Sequence, residues 1–182
     1  MKAIIIIVAM CAAYYGLNYF TLSQAAIERM VKKTYMPSKE RVEELCSFII
    51  PTTEVNYVVK VNDHQDEIAS KSADTLCNYW KSYVPKGKID WQDVTVKKVK
   101  VDKINQFPYN AANAEIDVNL RYQVTGHRMN KTTRKNEKFI DVITIHRTEK
   151  LQYRRGFMGG YEYVKIDGRD EVTRPEEKKR RY

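Results

Sequence analysis

The chain has 182 residues, enough for one ordinary domain with an appendage and too few for two full cores. It carries 32 Lys and Arg against 23 Asp and Glu, a formal net charge of +9, with 43% apolar and 30% charged residues. This composition excludes a wholly disordered chain, and seven Gly and five Pro exclude a collagen-like one. The charge is unevenly distributed, because Lys2 is the one charged side chain in residues 1–27.

The N-terminal stretch is apolar and long. Residues 3–20 read AIIIIVAMCAAYYGLNYF, with Gly16 and Asn18 alone outside the apolar set. Eighteen helical residues span about 27 Å, close to the thickness of a bilayer's hydrocarbon core. Tyr and Phe side chains gather toward the C-terminal end, as in an interfacial aromatic belt. We therefore expect an uncleaved membrane anchor whose helix continues through residues 23–33.

Two alternatives to the anchor stay open. One is a cleaved signal peptide, with Lys2 as its basic start and a cleavage region near residues 10–13, and the other is a buried core helix. The orientation of the span in the membrane is also open. Arg29, Lys32 and Lys33 follow the span, and this count of positive charges favours a cytoplasmic body. A long soluble domain behind a start-of-chain apolar segment is usually exported. We expect a single-pass inner-membrane protein with a periplasmic body.

Two helices and a short extended segment are predicted next. Pro37 and Ser38 mark a helix start, and Pro51 ends that helix. Residues 54–61 are β-branched and fit a short strand or an extended lead-in. Asp63 is the predicted cap of a second helix that runs to about Tyr83. Its apolar side comprises Ile68, Ala69, Leu76, Tyr79, Trp80 and Tyr83.

From Lys88 the apolar period changes from 3.6 to 2, which predicts strands. Val94 and Val96 share one parity, whereas Val99 and Val101 take the other, so a β-bulge is expected at residues 97–98. Residues 114–124 alternate cleanly, residues 125–137 form a basic hairpin tip, and residues 138–154 form another long strand. A turn at residues 156–160 and a strand at residues 161–166 complete the sheet.

This element order predicts an α+β fold: an N-terminal transmembrane helix, then helices packed on a curved, four-stranded antiparallel sheet. The expected division is a membrane anchor with a juxtamembrane helix in residues 1–33, the α+β unit in residues 34–168, and a charged, disordered tail in residues 169–182.

The order of elements in residues 38–168 resembles the NTF2-like and cystatin-like α+β rolls. Together with the single predicted span, it also resembles the VirB8 class of inner-membrane scaffold proteins in bacterial type IV secretion and conjugation. That resemblance implies action through protein–protein contacts, with no catalytic residues to transfer. The markedly basic body departs from the class.

The sequence contains no constellation typical of an enzyme. His64, His127 and His146 lie apart, at a predicted helix start, a hairpin tip and a strand. His64 lies near Asp66 and Glu67, but acidic residues are ordinary in a first helical turn. No nucleophile elbow, zinc-protease motif, phosphate loop or dinucleotide motif occurs. We expect no enzymatic activity, no catalytic residue, no metal and no cofactor.

Aromatic residues and cysteines suggest two further features. A concave pocket would be lined by aromatic residues and one histidine that faces the inside of the sheet, although such residues equally fill a core: Tyr57, Tyr79, Trp80, Trp91, Tyr122 and His146. Cys46 and Cys77 would form one disulfide in an oxidising compartment or remain buried thiols in a reducing one.

The basic residues of the late strands form a candidate interaction surface, which comprises Lys97, Lys98, Lys100, Arg128, Lys131, Arg134 and Lys135. Such a surface would bind anionic headgroups or an acidic partner, or it would be solvated and would discourage pairing at sheet edges. Nucleic acid is not favoured, because no nucleic-acid-binding motif accompanies the charge.

The sequence therefore predicts a membrane-anchored extracytoplasmic scaffold or assembly module. It would act through protein contacts as a homo-oligomer or in a larger complex, as in a secretion or conjugation machine. The alternative is a secreted or periplasmic small-ligand-binding module with a cleaved signal peptide.

Overall fold

The computed structural model describes residues 2–21, 23–62, 64–68, 72–82, 84, 87–106, 109–129, 133–155 and 161–174. Its helices are α1 (Lys2–Thr21), α2 (Gln24–Thr34), α3 (Lys39–Ser47) and α4 (Ala73–Ser82). Its strands are β1 (Ile49–Val61), β2 (His64–Ile68), β3 (Lys88–Gln106), β4 (Tyr109–Met129), β5 (Asn136–Arg155) and β6 (Tyr161–Thr173).

The predicted continuous N-terminal helix is divided in two. Ser23 has an extended backbone, with φ of −75° and ψ of 156°, and its Oγ accepts the Ala26 N–H at 3.3 Å. This N-cap begins α2 as a separate helix. Within the described residues, no helix reaches the combination of length and apolar character needed to cross a membrane.

Helix α2 belongs to the packed body. It buries Ile27, Val31 and Thr34 and contacts β3. The expected boundary after residue 33 therefore falls inside a unit that packs together. At the other end, β6 continues to Thr173, beyond the boundary predicted at residue 168.

The sheet is six-stranded and mixed, in the order β2-β1-β6-β5-β4-β3. The four predicted strands are β3 to β6 and pair as antiparallel neighbours, as expected. The prediction of four antiparallel strands is nevertheless wrong for the whole sheet. Strand β1 runs parallel to β6, and β2 pairs antiparallel with β1. A parallel pair between the first and last strands is a long-range contact, which no local pattern encodes.

The predicted helix from residue 63 to 83 is also wrong over its first part. His64–Ile68 is a strand that pairs with β1 from Val61↔His64 to Tyr57↔Ile68. Asn62 at the turn has φ of 51°, a left-handed conformation that asparagine tolerates better than most residues. Helix α4 begins only at Ala73. Ala69 and Tyr83 lie outside the described residues, as do the turn at 156–160 and the tail from 175.

The bulge predicted in β3 is confirmed by a register shift between Val96 and Lys98. Alternation along β4 is confirmed as well, with Ile116, Val118 and Leu120 buried. Helices α2, α3 and α4 and this buried side of the sheet enclose one apolar core. We call this side the inner face and the opposite side the outer face.

Candidate functional site

Three charged side chains lie buried on the inner face. On β5, Arg147 and Glu149 are 6% and 3% exposed, and on β6, Asp170 is 0% exposed. On β5, Arg147 and Glu149 lie between Ile145 and Leu151 in the same row of alternate residues. The strand pairing places Asp170 directly opposite Arg147. Burying such groups is costly unless they are paired and hydrogen-bonded.

The charged groups are paired. The Arg147 guanidinium donates from Nε to Asp170 Oδ1 at 2.8 Å and from Nη2 to Oδ2 at 2.7 Å. This two-point geometry is the strong form of an arginine–carboxylate bond. The guanidinium also lies 5.2 Å from the Tyr35 ring centre and 5.4 Å from that of Trp80, within cation–π range.

Three tyrosines complete the cluster. Tyr79 donates to Asp170 Oδ2 at 3.1 Å, and Tyr35 donates to Glu149 Oε2. The Tyr57 hydroxyl lies 2.9 Å from Asp170 Oδ1 and 3.0 Å from Glu149 Oε1. We call these six residues the polar cluster: Tyr35, Tyr57, Tyr79, Arg147, Glu149 and Asp170.

The geometry around Tyr57 favours a protonated Glu149. Tyr57 has a single hydroxyl proton but two carboxyl oxygens within hydrogen-bond distance. Both contacts are satisfied when Tyr57 donates to Asp170 and a protonated Glu149 donates to Tyr57. Burial raises the pKa of Glu149. The tyrosine hydrogen bonds and Arg147, whose Nε lies 3.8 Å from Glu149 Oε1, only partly offset that effect.

Three further groups keep their ordinary charge states. Burial raises the pKa of Tyr57 and of Tyr35 well above the usual value of 10.0, so both remain neutral. Burial opposes the charge of Arg147, but the Asp170 carboxylate raises its pKa well above the usual value. Both carboxyl groups and all three tyrosine hydroxyls take part in hydrogen bonds, so the cluster ties the end of α2 to β1, α4, β5 and β6.

The space beside the cluster is small. A cavity of about 30 Å³ lies among residues that include Tyr35, Trp80, Tyr122 and Arg147. The cavity has room for one or two water molecules, whereas small-molecule sites usually measure about 300–1,000 Å³. Trp80 Nε1 is buried without a hydrogen-bond partner among the described atoms. A water that accepts this N–H would fit the cavity.

The predicted pocket residues lie on both faces of the sheet. Tyr57, Trp80 and Tyr122 are buried in the core, and Tyr79 packs against it. Trp91 is 39% exposed and donates to Gln123. These residues therefore do not line one common pocket.

His146 is on the outer face, so the expectation that it faces inward is wrong. Its Nε2 lies 2.9 Å from Asp117, and its Nδ1 lies 3.9 Å from Glu171. The prediction placed His146 on the inside together with Val142. The inward-facing residues of β5 are instead the alternate set that contains Ile145, Arg147 and Glu149. Among the side chains that the structure describes, no three His, Cys, Asp or Glu gather as metal ligands.

The sequence reasoning missed the polar cluster. Arg147 and Glu149 interrupt an apolar row at the spacing of one strand face, and this was the available signal. Asp170 was assigned to the tail, so its partnership with Arg147 could not be foreseen.

Cys46 and Cys77 are joined in a disulfide that links α3 to α4, with their Cα atoms 5.6 Å apart. Both residues lie on helices, as expected. The bond connects the two helices that follow one another over the sheet, across a separation of 31 residues.

The predicted basic residues lie in two separate places. Lys97, Lys98 and Lys100 lie on β3, where Lys98 pairs with Glu115 at 3.0 Å and Lys100 with Asp102 at 3.1 Å. Arg128 lies near the far end of β4, with Arg134 and Lys135 beyond it in the turn. Lys100 lies opposite Glu115 on β4, and Arg128 lies beyond Gly126 on the same strand. The 11 residue steps from Glu115 to Gly126 already span about 36 Å, so the two basic groups are far apart. Lys131 lies outside the described residues.

The distant basic group lies on a projecting hairpin arm. Strand β3 begins at Lys88, opposite Thr125, and β6 ends at Thr173, opposite Thr144. Among the described strands, Gly126–Met129 therefore pair with β5 and no other strand, and Asn136–Ile143 pair with β4 and no other strand. We call residues 125–129 and 133–143 the hairpin arm.

No protein-family model and no curated protein sequence matches the chain. Similar solved structures include an NTF2-like family protein from Streptomyces avermitilis, with 8% identity and a TM-score of 0.44 over 84% of this chain and 97% of that one. An NTF2-like superfamily protein from Salmonella enterica has 9% identity and a TM-score of 0.42, over 90% and 99%. A ketosteroid isomerase-like protein from Erwinia carotovora has 13% identity and a TM-score of 0.35, over 80% and 94%. At TM-scores below 0.5, these likenesses assign no activity to the chain.

Proposed function

We propose that the chain is a membrane-held scaffold module of the NTF2-like type, whose α+β body acts through protein contacts outside the cytoplasm. In this proposal α1 lies in the bilayer and concentrates the body at the membrane. The body presents its outer face and the hairpin arm to partners.

The observation that carries the proposal is the exposure of α1. Its side chains Ile4, Ile5, Ile6, Ile7 and Val8 are 65%, 66%, 57%, 56% and 62% exposed. Five consecutive helical residues point in all directions around the axis, at about 100° each. A helix that is apolar on every side is stable when buried in a protein interior or in lipid. The described body leaves these side chains uncovered, which favours lipid.

The filled interior supports protein contact over small-ligand binding. The cavity beside the polar cluster has room for water only, and the Asp170 carboxylate already accepts hydrogen bonds from within the cluster. We therefore prefer the scaffold to the alternative of a small-ligand-binding module.

The disulfide supports a body outside the cytoplasm, because disulfides persist in oxidising compartments and are rare in a reducing cytosol. The finer proposal, a component of a secretion or conjugation machine of the VirB8 class, rests on the resemblance in element order alone.

Membrane extraction tests the proposal. The full-length chain, expressed in a bacterial host, should remain in the membrane pellet after washing with alkaline carbonate. The variant Ile5→Lys/Val8→Lys should leave the pellet, because a Lys within the span opposes insertion, by up to about 3 kcal/mol at its centre.

The matched control is Ile5→Leu/Val8→Leu, which preserves apolar character and should remain in the pellet. Release of the wild-type chain by carbonate would refute the proposal, and so would retention of the double-Lys variant.

A further inference from the structure

The hairpin arm leaves one edge of β5 without a described neighbouring strand. Beyond Thr144, no described strand pairs with Lys138–Ile143 on the side that β6 occupies farther along β5. Half of these six residues direct their N–H and C=O groups to that side in an antiparallel strand. Beyond Thr173, Arg174 donates its N–H to the Asn62 side chain, so the end of β6 is held beside the turn after β1.

This edge is longer than β2 and more regular than β3. Strand β2 has only five residues, and β3 has two register shifts and the exposed lysines 97, 98 and 100. The β5 segment pairs with β4 without any register shift and carries Phe139, Ile140, Val142 and Ile143. Ile140 is 59% exposed. Regular, apolar and exposed edges accept additional strands.

The charges of the arm select the added strand. Arg134, Lys135 and Lys138 are exposed at the end nearest the turn, whereas Arg128 lies 4.0 Å from Asp141 on the inner face. Ile140 and Val142 continue the outer-face row away from Lys138, opposite Thr125 and Gln123. On the inner face, Glu137 and Asp141 would repel acidic neighbours.

We propose that Lys138–Ile143 is a docking edge that takes an extended segment of a partner protein as an added β-strand. That segment carries acidic residues beside Lys138 and the turn, and apolar residues beside Ile140 and Val142. This proposal deepens the scaffold function above by naming the chemistry of its partner.

The chain's own tail is a poor occupant. Residues 175–182 begin with Pro175, which lacks a backbone N–H, and contain Lys178, Lys179, Arg180 and Arg181. Their charge has the same sign as the arm.

Hydrogen exchange on the full-length, detergent-solubilised protein tests the docking edge. The probes are two eight-residue peptides of alternating Val and Thr with two Glu at either the N- or the C-terminal end, since the strand direction is not fixed. At millimolar concentration, one of them should slow amide exchange within residues 138–143. The same peptide with N-methylated backbone should give no protection, because it cannot complete the strand ladder.

Charge variants test the selection. Lys138→Glu should weaken binding of the acidic peptide about threefold to tenfold and should favour a peptide with two Lys in place of Glu. Ile140→Lys should abolish protection, and circular dichroism should show it folded because that side chain is exposed. Lys150→Glu is the matched control, since Lys150 is exposed on the same strand but paired on both sides, and it should bind as the wild type does.

Equal protection by the N-methylated peptide, or by acidic and basic peptides alike, would overturn the proposal, as would no protection by either acidic peptide. Without peptide, protection of this edge could rise with protein concentration and be lost in Ile140→Lys. That result would assign the edge to a second copy of the chain and would also overturn the proposal. Carbonate extraction does not depend on these results, so failure of the docking edge and failure of the membrane proposal are distinguishable.

Discussion

Replacing Asp170 by Asn tests the central role of the polar cluster. The variant Asp170→Asn has almost the same shape but leaves the buried Arg147 without its anion. The Arg147 side chain is 7% exposed and that of Asp170 is 0% exposed, so bulk water cannot replace the lost carboxylate. Removing one partner of a buried ion pair typically costs about 3–5 kcal/mol. At about 2–4 °C per kcal/mol for a chain of this size, the unfolding midpoint should fall by roughly 6–20 °C.

A second substitution should restore part of that loss. In Arg147→Met/Asp170→Asn both members of the pair are removed, and the Asn oxygen can still accept from Tyr57 and Tyr79. We expect the double variant to be more stable than either single variant. If adding the second core substitution raises stability, a broken ion pair explains the loss in the single variant. Simple loss of packing would instead make the double variant less stable than either single variant.

The assay is thermal unfolding of the full-length variants in one detergent, followed by circular dichroism. The exposed pair of Lys98 and Glu115 supplies the control, and Glu115→Gln should leave the midpoint nearly unchanged. A midpoint for Asp170→Asn within about 2 °C of the wild type would refute the reasoning, as would strictly additive losses in the double variant.

Three further predictions follow from the buried contacts. Because the pKa of Glu149 is raised above its ordinary 4.5, its contribution to stability is fully present below about pH 4.5 and is lost as the pH rises through the raised value. The wild type should therefore lose stability relative to Glu149→Gln between pH 4 and pH 8, and a constant difference in unfolding midpoint would contradict the protonated state. Gly168→Ala should cost about 1–3 kcal/mol in thermal unfolding, since its Cβ would lie 2.3 Å from the buried Tyr57 ring. Gly16→Ala, with nothing within 4 Å of the added Cβ, should not lower stability, because Ala favours the α1 helix over Gly. Cys46→Ser/Cys77→Ser should lower the free energy of unfolding by about 3–4 kcal/mol for a separation of 31 residues, and a reducing agent should reproduce that loss in the wild type alone.

Local patterns in the sequence predicted the later part of the fold. Alternation along residues 114–124 and the parity change at residues 97–98 report side-chain direction within one strand, so β4 and the β3 bulge were predictable. Ser38 caps α3 as predicted, and its Oγ accepts the Arg41 N–H at 3.3 Å.

Long-range pairing was not predictable from those patterns. Strand β2 carries the polar run HQDEI and is defined by its pairing with β1, while the left-handed Asn62 reverses the chain between them. The parallel pairing of β1 with β6 joins residues more than 100 positions apart. The same distance hid the site, because Tyr35, Arg147 and Asp170 meet only when α2, β5 and β6 are assembled.

Protease protection in a bacterial host tests the membrane-held, extracytoplasmic body most directly. Protease added outside spheroplasts of cells that express the full-length chain should digest the body, while a cytoplasmic marker protein stays intact. The membrane fraction should keep only a short N-terminal fragment that contains α1. A body that becomes accessible only after the inner membrane is opened, or a chain that is released whole into the soluble fraction, would contradict the account.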